Sequence, residues 1–246
     1  KIRDGKCARF CAMGHFLPYY IRYAAYHEFD GIWLDLEHRA MDQREVQSVL
    51  SMCHQHDIDA MVRAPTQERT KLYRYFEDGA SGLLMPLVDD VQEARAIARS
   101  VKFPPIGNRG IDGAGLDADF AIDAENFTND ANAETFVILQ IETLNALQQA
   151  EQIAGVEGVD GIFVGPADLS LRLGLADGAP SLDEAMQLVA DAAASQGKAW
   201  GTAGGGVEEW KKYRQMGAQL LIGAGDFALR DVLEGAKNSM DEALGD

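Results

Sequence analysis

The sequence predicts a closed (β/α)₈ barrel that occupies residues 1–246 as a single domain. Eight short apolar runs alternate with helical patterns from one end of the chain to the other. The chain also has the length of such barrels, which often form one unit of roughly 200–250 residues. Finally, polar residues follow several of the runs, at the carboxyl ends of strands where a barrel has its active site. Together these observations favour a barrel over an open doubly wound sheet.

The first half of the chain contains four predicted strand and helix pairs. Asp42 and Glu45 form a capping box, and apolar residues then recur at helical spacing, so a helix is predicted from Asp42. Residues 104–115 contain too many Gly and Pro for regular structure and are predicted to be a loop. The predicted strands are 9–14, 31–34, 59–63 and 82–87, and the predicted helices are 18–28, 42–53, 67–77 and 94–101.

The second half continues the same alternation. Ser181 and Glu184 form another capping box and mark the start of a helix. The strand at 199–203 runs into three consecutive glycines, which is typical of a loop. The predicted strands are 136–141, 161–165, 199–203 and 220–223, and the predicted helical segments are 117–130, 181–192, 207–216 and 227–244.

Composition excludes several classes of function. The net charge of −17 argues against nucleic-acid binding, which needs clustered Lys and Arg, and here these residues are scattered. No apolar run approaches the roughly 20 residues that cross a bilayer, so no membrane partner is expected. The cysteines Cys7, Cys11 and Cys53 form no even disulfide framework, which favours the cytoplasm. No signal peptide is recognisable, and the start at Lys1 rather than Met is compatible with a short leader upstream.

Two carboxylates follow neighbouring predicted strands. Glu142 directly follows the run 136–141, and Asp168 follows the run 161–165, 26 residues further on. This spacing is close to one strand, helix and strand repeat of ~30 residues, so in a parallel sheet the two side chains project side by side. Carboxylates are the ligands that Mg²⁺ and Mn²⁺ prefer, and a divalent metal site is therefore predicted. Taken singly, Glu142 could instead be a helix-start acid and Asp168 an N-cap.

Six blocks of sequence carry a further pattern. They are FDGIWLDLEH (29–38), MVRAP (61–65), GASGLLMPLV (79–88), FPPIGNRG (103–110), LQIET (139–143) and VEGVDGIFVGPADLS (156–170). In this order and spacing they resemble the HpcH/HpaI family, the metal-dependent class II pyruvate aldolases of the phosphoenolpyruvate/pyruvate barrel superfamily. The resemblance implies reversible cleavage of a 4-hydroxy-2-oxo acid to pyruvate and an aldehyde, through a metal-bound pyruvate enolate. It also implies Mg²⁺, Mn²⁺ or Co²⁺ as cofactor.

The resemblance assigns roles to residues after strands five and six. By position, Glu142 and Asp168 match the metal ligands, and pyruvate binding falls to Gln140 and the turn Gly165-Pro166-Ala167-Asp168. Pro166 has no N–H, so the amides of Ala167 and Asp168 are the expected donors to the substrate carboxylate. A helix that starts there would add its positive end.

Other roles fall to residues from the first half of the chain. Arg63 matches the arginine that faces the pyruvyl oxygen, and His38 matches the general base. Asp35 is expected to orient His38, to support metal-bound waters or to hold the neighbouring loop. Glu77 stands where the family commonly has an aspartate that supports the histidine, and because it ends a helix it would reach a site only across a subunit boundary. Arg109 is expected either to contact the site or to hold its own loop.

Alternative functions remain open at this point. A Schiff-base aldolase needs a lysine at a catalytic strand end, whereas Lys198 opens a strand and points to the opposite face. An acyl-CoA lyase or an oxaloacetate decarboxylase would share the metal-enolate chemistry. A barrel that only binds a keto acid is the alternative outside catalysis. The resemblance also implies a homohexamer in which the terminal helix, 227–244, is exchanged between neighbouring subunits.

Overall fold

Eight parallel strands close into a barrel in the computed structural model, which describes residues 1–122 and 125–245. Each strand pairs with the next in the chain, and the last pairs with the first, so the predicted (β/α)₈ barrel is confirmed. The strands are β1 (Ala8–Met13), β2 (Gly31–Asp35), β3 (Asp59–Arg63), β4 (Gly82–Met85), β5 (Phe136–Ile141), β6 (Gly161–Val164), β7 (Ala199–Ala203) and β8 (Leu220–Gly225).

Helices connect the strands and pack on the outside of the barrel. They are α1 (Pro18–Tyr26), α2 (Gln43–Gln55), α3 (Arg69–Glu77), α4 (Val91–Val101), α5 (Phe127–Glu134), α6 (Leu144–Gln148), α7 (Ala150–Ala154), α8 (Pro166–Gly174), α9 (Leu182–Ser195), α10 (Val207–Gln215) and α11 (Leu229–Leu244). Short 3₁₀ segments occupy Ile2–Asp4, Leu116–Ala121 and Asp226–Ala228. None of the helices in the described residues is long and apolar enough to cross a membrane.

Local signals fix several helix starts. Both predicted capping boxes are present: the side chains of Asp42 and Ser181 accept from backbone amides, and Glu45 and Glu184 accept from the N-cap amides in return. Each box satisfies two amides that would otherwise lack a partner at the helix end. These caps place α2 and α9 one residue after the predicted N-cap.

Two predicted boundaries are wrong. The strand predicted at 82–87 ends at Met85, because Pro86 follows and Leu87 has a left-handed φ of 52° that cannot continue a strand. The helix predicted at 117–130 is a 3₁₀ segment and a separate helix, α5. Left-handed φ angles at Asp119 and Phe120 break the first segment, and residues 123–124 lie outside the described part of the chain. Other boundaries shift by at most three residues.

The barrel has two apolar cores because strand residues alternate between its two sides. The outer core lies between strands and helices, and the inner core fills the barrel itself. Its buried members are Ala8, Phe10, Met61, Leu84, Ile138, Phe163, Leu220 and Ile222. Because of this alternation, Arg63 and Gln140, each two positions after an inner-core residue, point into the mouth of the barrel at the carboxyl ends of their strands.

Candidate active site

Arg63 is the centre of one polar cluster in the barrel mouth. It is the last residue of β3 and points inward, two positions after the inner-core residue Met61. Its Nε lies 3.0 Å from Asp35 Oδ1 and its Nη2 lies 2.8 Å from Asp35 Oδ2, while Nη1 lies 3.1 Å from Glu37 Oε2. The guanidinium also stacks 4.5 Å from the Trp33 ring centroid. This buried arginine is therefore rigidly held in one orientation.

Asp35 also holds the turn that carries His38. Its Oδ1 accepts hydrogen bonds from the backbone amides of Glu37, at 3.1 Å, and His38, at 3.3 Å. Burial acts to raise the pKa of Asp35, but the hydrogen bond and charge of Arg63 outweigh it and lower the pKa. Of the roles expected for Asp35, these contacts with backbone amides agree with holding the loop that carries His38.

The imidazole of His38 projects into the open mouth. Its side chain is 56% exposed, and Nε2 lies 3.5 Å from Glu37 Oε2. The same Glu37 oxygen contacts Arg63, so Glu37 links the histidine to the arginine. The sequence analysis assigned no role to Glu37. The sequence feature that could have identified Glu37 is its position two residues after Asp35, because every second residue of this run points into the barrel.

Glu142 is the centre of a second polar cluster, at the end of β5. Only 2% of its surface is exposed. Leu87 N donates to Oε1 at 2.6 Å, and Gln140 Nε2 donates to Oε2 at 2.7 Å. Burial raises the pKa of Glu142, the Leu87 amide opposes this, and the charges of Asp168 and Glu37 raise it further. Glu142 is therefore a buried carboxylate at the carboxyl end of β5, held by one backbone amide and one side-chain amide.

The turn after β6 brings an open helix terminus beside Glu142. Gly165 precedes α8, no side chain caps the helix, and Pro166 occupies its first turn. The amides of Ala167 and Asp168 therefore remain available for an anion, as the sequence predicts. A Cβ on Gly165 would lie 2.5 Å from both Gln140 Nε2 and Glu142 Oε2, so only glycine permits this close approach.

Asp168 lies in the first turn of α8. Its carboxylate is 46% exposed, and Oδ1 pairs with Arg172 Nη1 at 2.8 Å. It does not cap the helix, because Gly165 is the N-cap residue. The alternative interpretation of Asp168 as an N-cap is therefore wrong.

The donor set fits a divalent cation such as Mg²⁺ or Mn²⁺. Within residues 1–122 and 125–245 no group of three His, Cys, Asp or Glu side chains is arranged to hold a metal. Two carboxylates are nevertheless enough for these ions, which keep several waters and bind substrate oxygens as well. Among the described residues Gln140 Oε1 is a buried oxygen without a hydrogen-bond partner, and it adds a neutral oxygen donor beside the Glu142 carboxylate.

Two of the predicted candidates lie outside the mouth. Glu77 ends α3, five residues before β4 begins, so it lies at the opposite end of the barrel and does not reach His38 within one chain. It pairs with Arg74, at 3.2 Å. Arg109 is buried, pairs with Asp117 and stacks on Phe103 at 4.5 Å, and it therefore holds its own loop.

The lysines near the strands do not offer Schiff-base chemistry in the mouth. Lys198 precedes β7 and donates to the Val159 carbonyl oxygen at 2.5 Å, at the amino ends of the strands. Lys102 is buried and its pKa is lowered by desolvation. It donates at 2.7 Å to the carbonyl oxygen of Thr135, just before β5 begins, so it too lies at the opposite end.

Comparison with known proteins agrees with this geometry. The family model described as HpcH/HpaI aldolase/citrate lyase matches residues 13–228. A 4-hydroxy-2-oxovalerate aldolase of Rhodococcus jostii is 36% identical over 165 residues, which span 67% of this chain and 63% of that protein. A hydroxypyruvate/pyruvate aldolase of Pseudomonas aeruginosa is 31% identical over 93% of this chain and 86% of its own. The crystal structure of an HpcH/HpaI aldolase from Desulfitobacterium hafniense has a TM-score of 0.89 and 27% identity, over 98% of this chain and 95% of that one.

Proposed function

Because this chain belongs to the HpcH/HpaI aldolase/citrate lyase family, we propose that it is a class II aldolase that reversibly cleaves a 4-hydroxy-2-oxo acid to pyruvate and an aldehyde. The observation that carries the proposal is the position of Glu142, which is buried at the end of β5, accepts a hydrogen bond from Gln140 and lies against Gly165 at the uncapped start of α8. Glu142 thus lies in the barrel mouth, beside the uncapped N-terminus of α8. The similarity to a hydroxypyruvate/pyruvate aldolase and a 4-hydroxy-2-oxovalerate aldolase supports the same type of reaction.

Glu142 and Asp168 are the residues that would hold the divalent metal, with Mg²⁺, Mn²⁺ and Co²⁺ as candidates. When bound, such an ion supplies Lewis-acid polarisation of the oxo group. The backbone of Ala167 and Asp168 binds the carboxylate of the oxo acid, and Gly165 keeps this backbone close to Gln140. Both ends of the pyruvyl unit are thereby oriented.

Arg63 stabilises the oxygen on which negative charge grows as the enolate forms. A guanidinium has five N–H donors, and three of those of Arg63 are engaged by Asp35 and Glu37. The remaining two are available to the pyruvyl oxygen. Because Arg63 is already held rigidly, its donors require no reorganisation during the reaction, and a donor of this type contributes about 3 kcal/mol to transition-state stabilisation.

His38 acts as the base. It takes the proton from the C4 hydroxyl as the bond between C3 and C4 breaks, and it returns that proton in the synthesis direction. Its exposed ring has Glu37 as its ion-pair partner and no second one among the described residues, so the ring is accessible to substrate. Asp35 contributes by fixing the turn that carries the ring.

A metal-dependence assay with one matched variant tests the proposal. We expect cleavage of a 4-hydroxy-2-oxo acid in the presence of Mn²⁺, loss of turnover with EDTA, and loss of turnover in Glu142→Gln with circular dichroism unchanged. Glu208→Gln, which changes a solvent-facing acid on α10, is the control and should retain activity. Full turnover in EDTA-treated protein would refute the assignment. Oxaloacetate decarboxylation or acyl-CoA cleavage without aldol cleavage would select the related alternatives instead.

We also propose that the chain assembles as a homo-oligomer, with a hexamer as the candidate state. Helix α11 follows β8 but contributes no buried residue. Its exposed apolar side chains include Leu229, Val232, Leu233 and Met240. In a barrel, the helix after the last strand normally covers that strand, so this apolar surface lacks the usual partner within one chain.

A groove on the outer side of β8 and β1 supports exchange of α11. It is lined by residues that include Phe29, Trp210 and Leu221, of which Trp210 belongs to α10. This apolar groove lies where an eighth covering helix would pack. We expect light scattering to show an oligomer for the wild type, and a smaller species for Leu233→Asp. A wild-type monomer would contradict the exchange.

The remaining proposals concern domain organisation and compartment. Because the eight strands form one closed sheet, we propose that residues 1–246 form one domain. Cys7, Cys11 and Cys53 are all unpaired, which supports a cytoplasmic location. Sedimentation of the cell extract into soluble and membrane fractions would test the latter.

A further inference from the structure

Arg39 is a second arginine in the barrel mouth, directly after His38. Its side chain crosses the end of β1, where a Cβ on Gly14 would lie 2.6 Å from Arg39 Cγ. Glycine at this position therefore leaves the space that the arginine occupies. The guanidinium lies 4.8 Å from the centroid of the Phe227 ring, and Nη1 donates to the His38 carbonyl oxygen at 2.7 Å. Arg39 is thus placed against the mouth rather than extended into solvent.

The surroundings of Arg39 are anchored by a buried carboxylate. Asp226 Oδ2 accepts from the amides of Gly14 and His15, each at 2.9 Å, and lies 2.8 Å from His15 Nδ1. The His15 ring packs edge-on against Phe227, with centroids 5.2 Å apart. Because Asp226 follows β8, these contacts tie the ends of β8 and β1 together. Phe227, against which Arg39 packs, is therefore held in place.

Arg39 has no carboxylate partner among the described residues. Arg63 is engaged by two carboxylates, whereas no ion pair engages Arg39 in the part of the chain that the structure describes. One of its five N–H donors contacts a backbone carbonyl, which leaves the rest to a ligand. In a chain with a net charge of −17, a half-buried and unpaired arginine beside the proposed base is a local site for an anion.

We propose that Arg39 binds an anionic group at the far end of the aldehyde substrate. The inference rests on the proposed function, in which His38 contacts the oxygen of the aldehyde carbon. The substituent on that carbon then extends from the reacting centre towards Arg39, the residue after His38. Both carboxylate and phosphate match the planar fork of a guanidinium. Arg39 is accordingly a specificity-determining residue, and the favoured aldehydes are those that carry a negative charge.

Paired aldehydes test this inference. Addition of pyruvate is measured with succinic semialdehyde and its uncharged analogue of the same shape, 4-methylpentanal, and with glyceraldehyde 3-phosphate and glyceraldehyde. We expect the wild type to favour the charged member of at least one pair. The pair with the larger ratio of kcat/KM, charged over neutral, shows whether carboxylate or phosphate is the preferred group. The ratio of kcat/KM within that pair should fall about 10- to 100-fold in Arg39→Gln, the loss expected for a hydrogen bond to a charged group.

Two further variants make the measurement specific. Gly14→Ala displaces the Arg39 side chain without removing its charge, and it should also lower the ratio. Arg95→Gln removes an exposed arginine on the outer helix α4 and should leave the ratio unchanged. Because each ratio is taken within one variant, a general loss of activity or of folded protein cancels.

The outcomes separate this inference from the proposed function. Enolisation can be measured by itself when no aldehyde is added. NMR then monitors the exchange of the pyruvate methyl protons for deuterium. If the wild type exchanges these protons but uses charged and neutral aldehydes equally, or if Arg39→Gln keeps the wild-type ratio, the role of Arg39 is refuted and the aldolase proposal stands. If the wild type neither exchanges protons nor adds pyruvate to any aldehyde, both are refuted.

Discussion

Replacing Gly165 by alanine tests whether the turn after β6 must approach Glu142 as closely as the structure shows. The new Cβ would lie 2.5 Å from Gln140 Nε2 and from Glu142 Oε2, well inside normal contact distance. These two atoms cannot move apart cheaply, since they are hydrogen-bonded to each other and Leu87 N holds the other oxygen of Glu142. We expect an overpacking cost of roughly 1–3 kcal/mol in the free energy of unfolding.

The same displacement should affect catalysis more than stability. A misplacement of about 1 Å in a catalytic group can cost about 10²-fold in rate, so we expect kcat/KM for Gly165→Ala to fall by about that factor and Mn²⁺ affinity to fall with it. Gly174→Ala is the matched control, because it changes a glycine of the same helix whose Cβ would meet nothing within 4 Å. Isothermal titration with Mn²⁺ and steady-state kinetics measure both effects. Wild-type affinity and rate in Gly165→Ala would refute the reasoning.

Other predictions concern ion pairs at the site. Asp35→Ala should lower the free energy of unfolding at pH 7, measured in urea, by about 3 kcal/mol, because it leaves the buried Arg63 charge without its closest partner. Asp231→Ala, at an exposed pair, should show no measurable change. Because the pKa of Asp35 is lowered in the folded state, its contribution should be present above the ordinary carboxyl range and be lost as pH falls through the lowered pKa. Arg172→Gln should strengthen Mn²⁺ binding about 2-fold by releasing Asp168 from its i,i+4 pair, and weaker binding would contradict this.

The fold could be predicted from the sequence because local and global signals agree. Two capping boxes marked helix starts, and eight apolar runs gave the correct number of strands. The errors arose where backbone conformation overrides composition. Leu87 is apolar and extends the run after β4, yet its left-handed φ places its amide toward Glu142 instead of in a strand. A pattern of residue types contains no signal for such a conformation.

The candidate site could be predicted only in part. Strand periodicity brings Arg63, Asp35, Gln140 and Glu142 to the mouth, because each points inward at the end of its strand. Periodicity does not reveal which acids pair with which cations, since those pairs join side chains from different strands. The link from His38 through Glu37 to Arg63 depends on this three-dimensional arrangement. Glu77, in contrast, lies at the opposite end of the barrel, and its catalytic role across a subunit boundary stays a prediction.

Because acids in the mouth repel one another, binding of a metal ion there should raise the Tm of the protein. The pKa of Glu142 is raised in the folded state, chiefly by burial and with a contribution from the Asp168 charge, so the ionised form is disfavoured when no cation is bound. A cation at 100 times its dissociation constant adds about 2.7 kcal/mol of stability. For a chain of this size that corresponds to a rise of roughly 5–10 °C in Tm. Glu142→Gln removes both the repulsion and a ligand, so in calorimetry its metal-free Tm should equal or exceed that of the wild type and should not respond to Mn²⁺. A variant that retains the full Mn²⁺ shift would show that the cation binds elsewhere.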